Sequence, residues 1–124
     1  MISVICPIYN EEKYIAKCIE SILEQDYPKD DLEVIFVDGM STDRTRGIVA
    51  EYANTYPFIR MVDNPDRIVP PAMNIGIRLA KGEIIIRLDA HAIFPSDYFS
   101  ELTKNLIELD ADNVGGVCRT LPVD

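Results

Sequence analysis

The feature that most constrains this chain is a short apolar run at residues 84–88, which is followed by a carboxylate and an imidazole. Four of its five residues are large and apolar, and three of these are β-branched. Such a run is typical of a strand buried on both faces, as in a parallel sheet. Asp89 and His91 follow where the strand should end, at the edge where open α/β sheets bind ligands. Both residue types ligate divalent cations such as Mn²⁺, so the stretch predicts a metal-binding site.

Simpler explanations of Asp89 and His91 remain open at this point. An aspartate after a strand is often a turn residue or a helix cap, and a single histidine is often structural. Motifs this short also occur in many unrelated chains. The rest of the sequence has to show whether a ligand site surrounds these two residues.

The composition indicates one domain or a piece of one. The 124 residues are 48% hydrophobic, which is enough for a core, and the net charge is −9. Nucleic acids require clustered lysine and arginine, so this charge argues against a nucleic-acid partner. It also disfavours an anionic ligand unless a divalent cation offsets the charge locally. Cys6, Cys18 and Cys118 show no CxxC spacing, and we interpret them as reduced core thiols of a cytosolic protein.

Strands and helices are predicted to alternate along the chain. Apolar runs predict strands at residues 2–6, 33–37, 58–62, 84–88 and 113–118, and helical spacing of apolar residues follows the first four. Asn10 is a candidate cap for the first helix, and Ser41 or Thr42 for the second. Arg87 is unusual in an apolar strand, so we expect it to pair with a carboxylate. The alternation predicts an α/β fold with a mainly parallel sheet.

Polar and aromatic residues follow three of these strands. They are Pro7, Tyr9 and Glu11 after the first, Asp38, Ser41 and Asp43 after the second, and Asp89 and His91 after the fourth. In a parallel sheet these positions share one edge. A stacking ring, a carboxylate that accepts from a base N–H and a metal-binding pair together suit a nucleotide carrying a diphosphate. Neither GxGxxG nor GxxxxGK followed by Ser or Thr occurs, so a dinucleotide or P-loop site is not supported.

Four segments resemble the family 2 glycosyltransferases in order and spacing. They are VICPIYNEE at 4–12, VDGMSTD at 37–43, NIG at 74–76 with AKGE at 80–83, and LDAH at 88–91. The likeness extends from residue 2 to about 118. The variant RLDAHA at 87–92 resembles the bacterial exopolysaccharide branch, which includes succinoglycan-type glucosyltransferases.

The resemblance implies a fold and a ligand. The fold would be the Rossmann-like, nucleotide-binding half of a GT-A fold, and the ligand a nucleotide-sugar donor, usually a UDP-sugar. Tyr9 would pack on the base and Asp38 would accept from its ring N–H. Pro7 and Glu11 would line the same pocket. Arg67 lies near a position where some members place an arginine that contacts the base.

The resemblance also implies a metal site with one departure from the family. Asp89 would lie by the ribose and a divalent ion, Mn²⁺ or Mg²⁺. His91 stands where the family usually has a second aspartate that binds the metal. A neutral histidine brings no negative charge, so this substitution bears on the affinity and identity of the ion.

The family places its other functions further along the chain. Inverting transfer needs a general base, which in the family is an aspartate or glutamate beyond the position of residue 124. The part that binds a saccharide or lipid-linked acceptor, and any membrane-associating segments, would also lie there. We therefore expect residues 1–124 to form a single donor-binding domain that does not turn over alone. Its expected location is the cytoplasm, at the cytoplasmic face of the inner membrane in the full-length protein.

The sequence leaves two alternatives to a glycosyltransferase, and it also predicts an assembly state. A non-catalytic nucleotide-binding module would keep the site without the chemistry. A receiver-type signalling domain would need an acidic pair after the first strand and a late lysine, but residues 6–9 read CPIY and no lysine follows Lys104. The apolar segments at 84–88 and 113–124 predict self-association into a homo-oligomer, because exposed apolar strands pair with other chains.

Overall fold

The computed structural model describes residues 1–66 and 69–108 of the chain. Strands and helices alternate as β1 (Ile2–Ile8), α1 (Ile15–Leu23), β2 (Leu32–Asp38), α2 (Thr45–Thr55), β3 (Ile59–Asp63), α3 (Val69–Leu79), β4 (Ile84–Arg87) and α4 (Tyr98–Glu108). A short 3-10 helix, Lys29–Asp31, precedes β2. The four strands form one parallel sheet in the order β3-β2-β1-β4. The predicted α/β class and parallel sheet are confirmed, while the strand predicted at 113–118 lies outside the described residues.

Helices cover both faces of this sheet because apolar residues alternate along its central strands. On one face, Val4 of β1 and Phe36 of β2 belong to a core that includes α1, α2 and α4. On the other face, Ile5 and Ile35 pack with Ala72 of α3. Each central strand is therefore apolar on both sides, which is typical of a buried parallel strand.

The two described cysteines belong to the larger core. Cys6 on β1 and Cys18 on α1 are both buried, and neither forms a disulfide. A hydrogen bond with Cys18, together with burial, raises the pKa of the Cys6 thiol well above its ordinary value. A thiol held in its protonated form is a poor nucleophile. The interpretation of these two residues as core thiols agrees with the structure, and Cys118 lies outside the described residues.

Strand β4 differs from its prediction. Ile86 is buried, but Ile85 is 36% exposed and Arg87 is exposed as well. The run was expected to be buried on both faces, which is wrong. Arg87, which was expected to pair with a carboxylate, is exposed rather than buried, and its charge acts on Asp89. The reason is position, because β4 lies at the edge of the four described strands while α3 packs over β1 and β2.

Both predicted helix caps are also wrong. Helix α1 follows Tyr14 and helix α2 follows Arg44, and neither start has a side-chain cap. Asn10, Ser41 and Thr42 lie before these starts. Their side chains form hydrogen bonds between the two loops and do not cap the helices. Capping signals read from sequence cannot distinguish a bond to the next helix from a bond to a neighbouring loop.

Candidate functional site

The carboxyl end of the sheet brings the ends of three strands to one level. Ile8 of β1 pairs with Asp38 of β2, and Asp38 pairs with Asp63 of β3. Strand β4 ends lower, where Arg87 pairs with Ile5. Beyond β4 the chain continues beside β1, since the Leu88 N–H donates to the Ile5 carbonyl oxygen over 3.0 Å. The loops that follow all four strands therefore share one edge.

The loops after β1 and β2 are bound to each other. Asn10 has a φ of 50°, a left-handed conformation that asparagine tolerates. Its N–H donates to Ser41 Oγ over 2.8 Å, and its Oδ1 accepts from the Thr42 N–H over 2.8 Å. The Glu11 N–H donates to Thr45 Oγ1 over 2.8 Å. These bonds hold the loop that carries Tyr9 against the loop that follows Asp38.

Asp38 is wholly buried and its two oxygens have unequal environments. Oδ2 accepts from the Ser41 N–H over 2.9 Å and from Arg46 Nη1 over 2.6 Å. Oδ1 accepts from Ser41 Oγ over 2.5 Å. Because a carboxylate oxygen can accept two hydrogen bonds, Oδ1 keeps capacity for one more donor. Any ligand that reached it would have to move the surrounding loop side chains, since Asp38 is 0% exposed.

Arg46 is a residue of this edge that the sequence analysis missed. Its Nη1 also lies 2.8 Å from Asp63 Oδ1, so one guanidinium joins carboxylates at the ends of β2 and β3. Hydrogen bonds with Asp38 and Asp63 raise the pKa of Arg46 above its ordinary value. Nothing in the local sequence marks Arg46, because it lies on α2, eight residues after Asp38. Only the register of β2 with β3 brings the three side chains together.

Asp89 and His91 are adjacent at the other end of the edge. Asp89 Oδ1 accepts from the His91 N–H over 2.8 Å and lies 3.0 Å from His91 Nδ1. Burial acts to raise the pKa of Asp89, but the hydrogen bonds and charge of His91, with the charge of Arg87, hold it below its ordinary value. The two residues of the predicted metal site are therefore in contact, and their binding of a metal ion stays a prediction.

The other nitrogen of the same imidazole faces Glu11. His91 Nε2 lies 3.0 Å from Glu11 Oε2, and the ring of Tyr14 lies 4.7 Å from the imidazole between centroids. These two atoms are close enough for an ion pair when the imidazole is protonated, but they lack the alignment of a hydrogen bond, and Glu11 Oε2 is buried with no hydrogen-bond partner among the described residues. Burial raises the pKa of Glu11, against the charge of His91.

The remaining predicted residues of the base pocket are placed unevenly. Pro7 is half-buried within β1, which continues past it to Ile8. Tyr9 follows the strand and is 39% exposed. Arg67 lies outside the described residues. Asp43 accepts from the Thr45 N–H over 2.9 Å at the start of α2.

The donor set fits a hydrated divalent cation better than an all-protein metal centre. Among residues 1–66 and 69–108, no group of three histidine, cysteine, aspartate or glutamate side chains could hold a metal ion. Asp89 Oδ1 and His91 Nδ1 are 3.0 Å apart, which matches neighbouring ligands of an octahedral ion with bonds of about 2.1 Å. Ions of this kind take few protein ligands and add phosphate oxygens and water.

Comparison with known proteins decides the family. Residues 3–122 match the family described as "Glycosyl transferase family 2". The chain belongs to this glycosyltransferase family. The predicted resemblance is thereby confirmed, and the receiver-type interpretation is set aside.

Two curated relatives illustrate the range of this family. A Methanococcus voltae protein named dolichyl N-acetyl-alpha-D-glucosaminyl phosphate 3-beta-D-2,3-diacetamido-2,3-dideoxy-beta-D-glucuronosyltransferase is 41% identical over 109 residues, which are 86% of this chain and 33% of the relative. Succinoglycan biosynthesis protein ExoA of Rhizobium meliloti is 34% identical over 120 residues, 95% of this chain and 36% of the relative. The chain thus spans about a third of these relatives' length.

Two solved structures share the fold of this glycosyltransferase chain. The mannosyltransferase PcManGT from Pyrobaculum calidifontis, in complex with GDP-Man and Mn²⁺, superposes with a TM-score of 0.80 at 39% identity. That match covers 85% of this chain and 32% of the mannosyltransferase. Staphylococcus aureus TarS in complex with UDP-GlcNAc superposes with a TM-score of 0.76 at 31% identity, covering 86% and 31%. These likenesses confirm a GT-A type of fold.

No helix among the described residues is both long enough and apolar enough to cross a bilayer.

Proposed function

We propose that this chain binds the donor of a glycosyltransferase, a nucleotide-diphosphate sugar with UDP as the favoured nucleotide, together with Mn²⁺ or Mg²⁺. The observation that carries the proposal is that one edge of the sheet holds both a buried carboxylate, Asp38, and the pair Asp89 and His91. Family membership supports it. Similar structures that contain UDP-GlcNAc, or GDP-Man with Mn²⁺, support it as well.

The base is assigned to the ends of β1 and β2. Tyr9 offers an exposed ring on which a base can stack. Asp38 Oδ1 keeps one acceptor position, which suits the N3–H of uracil. Pro7 and Arg67 are assigned to the same pocket from the sequence. Because Asp38 is buried, the proposal includes a shift of loop side chains as the base enters.

The diphosphate is assigned to the other end of the edge. Asp89 and His91 would hold the cation, which when bound neutralises charge that develops on the leaving diphosphate. This compensation matters here because the chain itself carries a net charge of −9, which repels an anionic donor. Asp89 supplies a negative charge and His91 a neutral donor atom, while phosphate oxygens and water complete the coordination.

The transfer itself is assigned to the full-length protein. We propose inverting transfer to a saccharide or lipid-linked acceptor in polysaccharide biosynthesis, at the cytoplasmic side of the membrane. The acceptor hydroxyl needs a general base, which we place C-terminal to residue 124 with the acceptor site. The relatives, about three times as long as the matched region, are consistent with this division. Residues 1–124 then form one donor-binding domain that does not turn over alone.

Isothermal titration calorimetry tests the proposal with UDP and ADP in the presence of Mn²⁺. We expect UDP to bind more tightly than ADP, and Asp38→Ala to weaken the binding of UDP by about 10-fold or more, because the charged acceptor of the base N–H is lost. Glu51→Ala, a change on the exposed surface of α2, is the matched control. Thermal unfolding of each variant shows whether Asp38→Ala still folds. Equal affinity for the two nucleotides would remove Asp38 from the base pocket.

The non-catalytic alternative requires a different measurement. Full-length protein that binds UDP-sugar but shows no sugar transfer to any acceptor fraction would favour a binding module. Turnover that is lost with Asp89→Asn would favour the enzyme.

A further inference from the structure

The single imidazole of this chain lies between two carboxylates. His91 is the only histidine in the 124 residues. Its Nδ1 lies 3.0 Å from Asp89 Oδ1 and its Nε2 lies 3.0 Å from Glu11 Oε2. The two nitrogens are on different sides of the ring, so one ion cannot be bound by both. A cation that binds His91, as in the proposed function, therefore lies either on the side of Asp89 or on the side of Glu11.

The space on the two sides differs. The Asp89 side chain is 49% exposed, while that of Glu11 is 14% exposed and its Oε2 is buried. An ion such as Mg²⁺ keeps several waters and takes phosphate oxygens from its substrate. Only the Asp89 side offers such ligands room, because Glu11 Oε2 is buried.

Glu11 lacks the hydrogen bond that a buried carboxylate oxygen requires. Its Oε2 has no hydrogen-bond partner among the described residues although His91 Nε2 is 3.0 Å away. Buried polar groups are otherwise almost always paired. A small rotation of the imidazole would align an Nε2–H with this oxygen. The position of Glu11 is thus suited to accept from a histidine whose other nitrogen is bound.

We propose that Glu11 is a positioning residue for the metal site and lies behind His91 rather than in the base pocket. In this arrangement the cation binds Nδ1 beside Asp89, and Nε2–H donates to Glu11. Ligating histidines commonly donate their second N–H to a carboxylate, which fixes the ring and increases its basicity. The inference rests on the proposed function and reassigns Glu11, which the sequence placed in the nucleotide pocket.

The arrangement also compensates for the charge that a histidine ligand lacks. A neutral imidazole brings no charge to the ion. The carboxylate of Glu11 supplies a negative charge one step away, through the ring. A histidine ligand at this position therefore depends on the glutamate that follows β1, which is remote in sequence but in contact with His91.

Selective labelling of the one histidine tests which nitrogen is bound. The chain is prepared with ¹⁵N only at Nδ1 or only at Nε2 of histidine, and electron spin echo spectra are recorded with Mn²⁺ and UDP. We expect the strong coupling of a directly bound nitrogen from the Nδ1 label and only a weak coupling from the Nε2 label. This measurement needs no substitution, so failure of a variant to fold cannot obscure it. Strong coupling from Nε2 would overturn the inference.

Substitutions of neighbouring glutamates test the role of Glu11. We expect Glu11→Ala to weaken the binding of Mn²⁺ in the presence of UDP by about 10- to 100-fold, which is the range for residues that support a metal ligand. Glu11→Gln should recover part of this, since its amide oxygen can still accept from Nε2–H. Glu12→Ala, on the same loop but 42% exposed, is the matched control and should leave the affinity unchanged.

The outcomes separate this inference from the proposed function. If the parent chain binds Mn²⁺ and UDP, but Glu11→Ala and Glu12→Ala behave alike, the inference fails and donor binding stands. Binding without nitrogen coupling from either label would likewise overturn it, because His91 would not be a ligand. If neither Mn²⁺ nor UDP binds the parent chain, the proposed function fails and the inference with it.

Discussion

Asp38 shows at the level of single residues how this edge accommodates a buried charge. The carboxylate is inaccessible to solvent, yet it accepts from the backbone and hydroxyl of Ser41 and from Arg46. A buried carboxylate without partners would strongly destabilise the fold, and these three hydrogen bonds give the charge of Asp38 the partners that it needs. Because Arg46 also contacts Asp63, its one positive charge is shared between two carboxylates that the strand register places next to each other.

Removal of the Arg46 charge should destabilise the fold. We expect Arg46→Met to lower the free energy of unfolding by about 1–3 kcal/mol, less than for a fully buried pair because the side chain is partly exposed. Arg44→Met is the control, since Arg44 is 86% exposed and lies 4.0 Å from Glu12, and its effect should stay within about 0.5 kcal/mol. Urea denaturation measures both. Equal effects would show that the contact of Arg46 with Asp38 and Asp63 contributes nothing.

Residue types at strand ends could be predicted from the sequence, but their partners could not. Asp89 and His91 are two residues apart in sequence and in contact in the structure, and their role as a metal-binding pair stays a prediction. Arg46, Asp63 and the contact of Glu11 with His91 depend on which strands are neighbours, and no local pattern encodes that order. The burial of Asp38 was missed for the same reason, because the sequence gives no measure of how closely two loops approach.

Helix α3 shows at the level of elements how closely a helix can approach the sheet. A Cβ added at Gly76 would lie 2.5 Å from Ile5 Cγ2, with two further side-chain atoms of Ile5 at 3.1 Å. Ile5 is wholly buried and β-branched, so it has little freedom to move. The glycine therefore lets α3 lie directly against β1, where a larger residue would push the helix outward.

A pair of glycine substitutions isolates this contact. Alanine gains up to about 1 kcal/mol over glycine inside a helix, and Gly47→Ala on α2 should show that gain because no atom lies within 4 Å of its added Cβ. Gly76→Ala should be less stable than Gly47→Ala by about 1–3 kcal/mol, the cost of overpacking. Chemical denaturation measures the difference, and two equal gains would contradict the close approach.

The predicted strands agree with the observed ones better than the predicted helix starts. The apolar pattern predicted the ends of β1 to β4 within a residue or two, because a buried strand appears in the sequence as a short run of apolar residues. The caps at Asn10, Ser41 and Thr42 were wrong because the same side chains can bond a helix end or a neighbouring loop. Burial of β4 on both faces was wrong because position in the sheet, not residue type, decides what covers a strand.

The whole molecule combines a strongly acidic surface with an apolar strand at the edge of the described sheet. The net charge of −9 opposes association, but salt screens it beyond about 8–10 Å. Ile85 is 36% exposed on β4, and burial of apolar surface contributes about 25 cal/mol per Å². We therefore predict that two copies of the chain associate through residues 84–88; the other predicted segment, 113–124, lies outside the described residues.

Sedimentation equilibrium tests this prediction at high micromolar concentration. We expect the parent chain to self-associate and Ile85→Lys to be monomeric. Ile77→Lys is the control, since Ile77 is 50% exposed but lies on α3, and it should associate like the parent. A monomeric parent chain, or an Ile77→Lys variant that dissociates as fully as Ile85→Lys, would count against this surface.

We propose that a single sheet edge binds the base of a nucleoside diphosphate at one end and its diphosphate, with the cation, at the other. A crystal of the chain soaked with UDP and Mn²⁺, measured at the manganese absorption edge, tests this most directly. We expect one anomalous peak beside Asp89 and Nδ1 of His91, with uracil against Tyr9 and its N3–H directed at Asp38. A peak at another place, or a base remote from Tyr9 and Asp38, would contradict it.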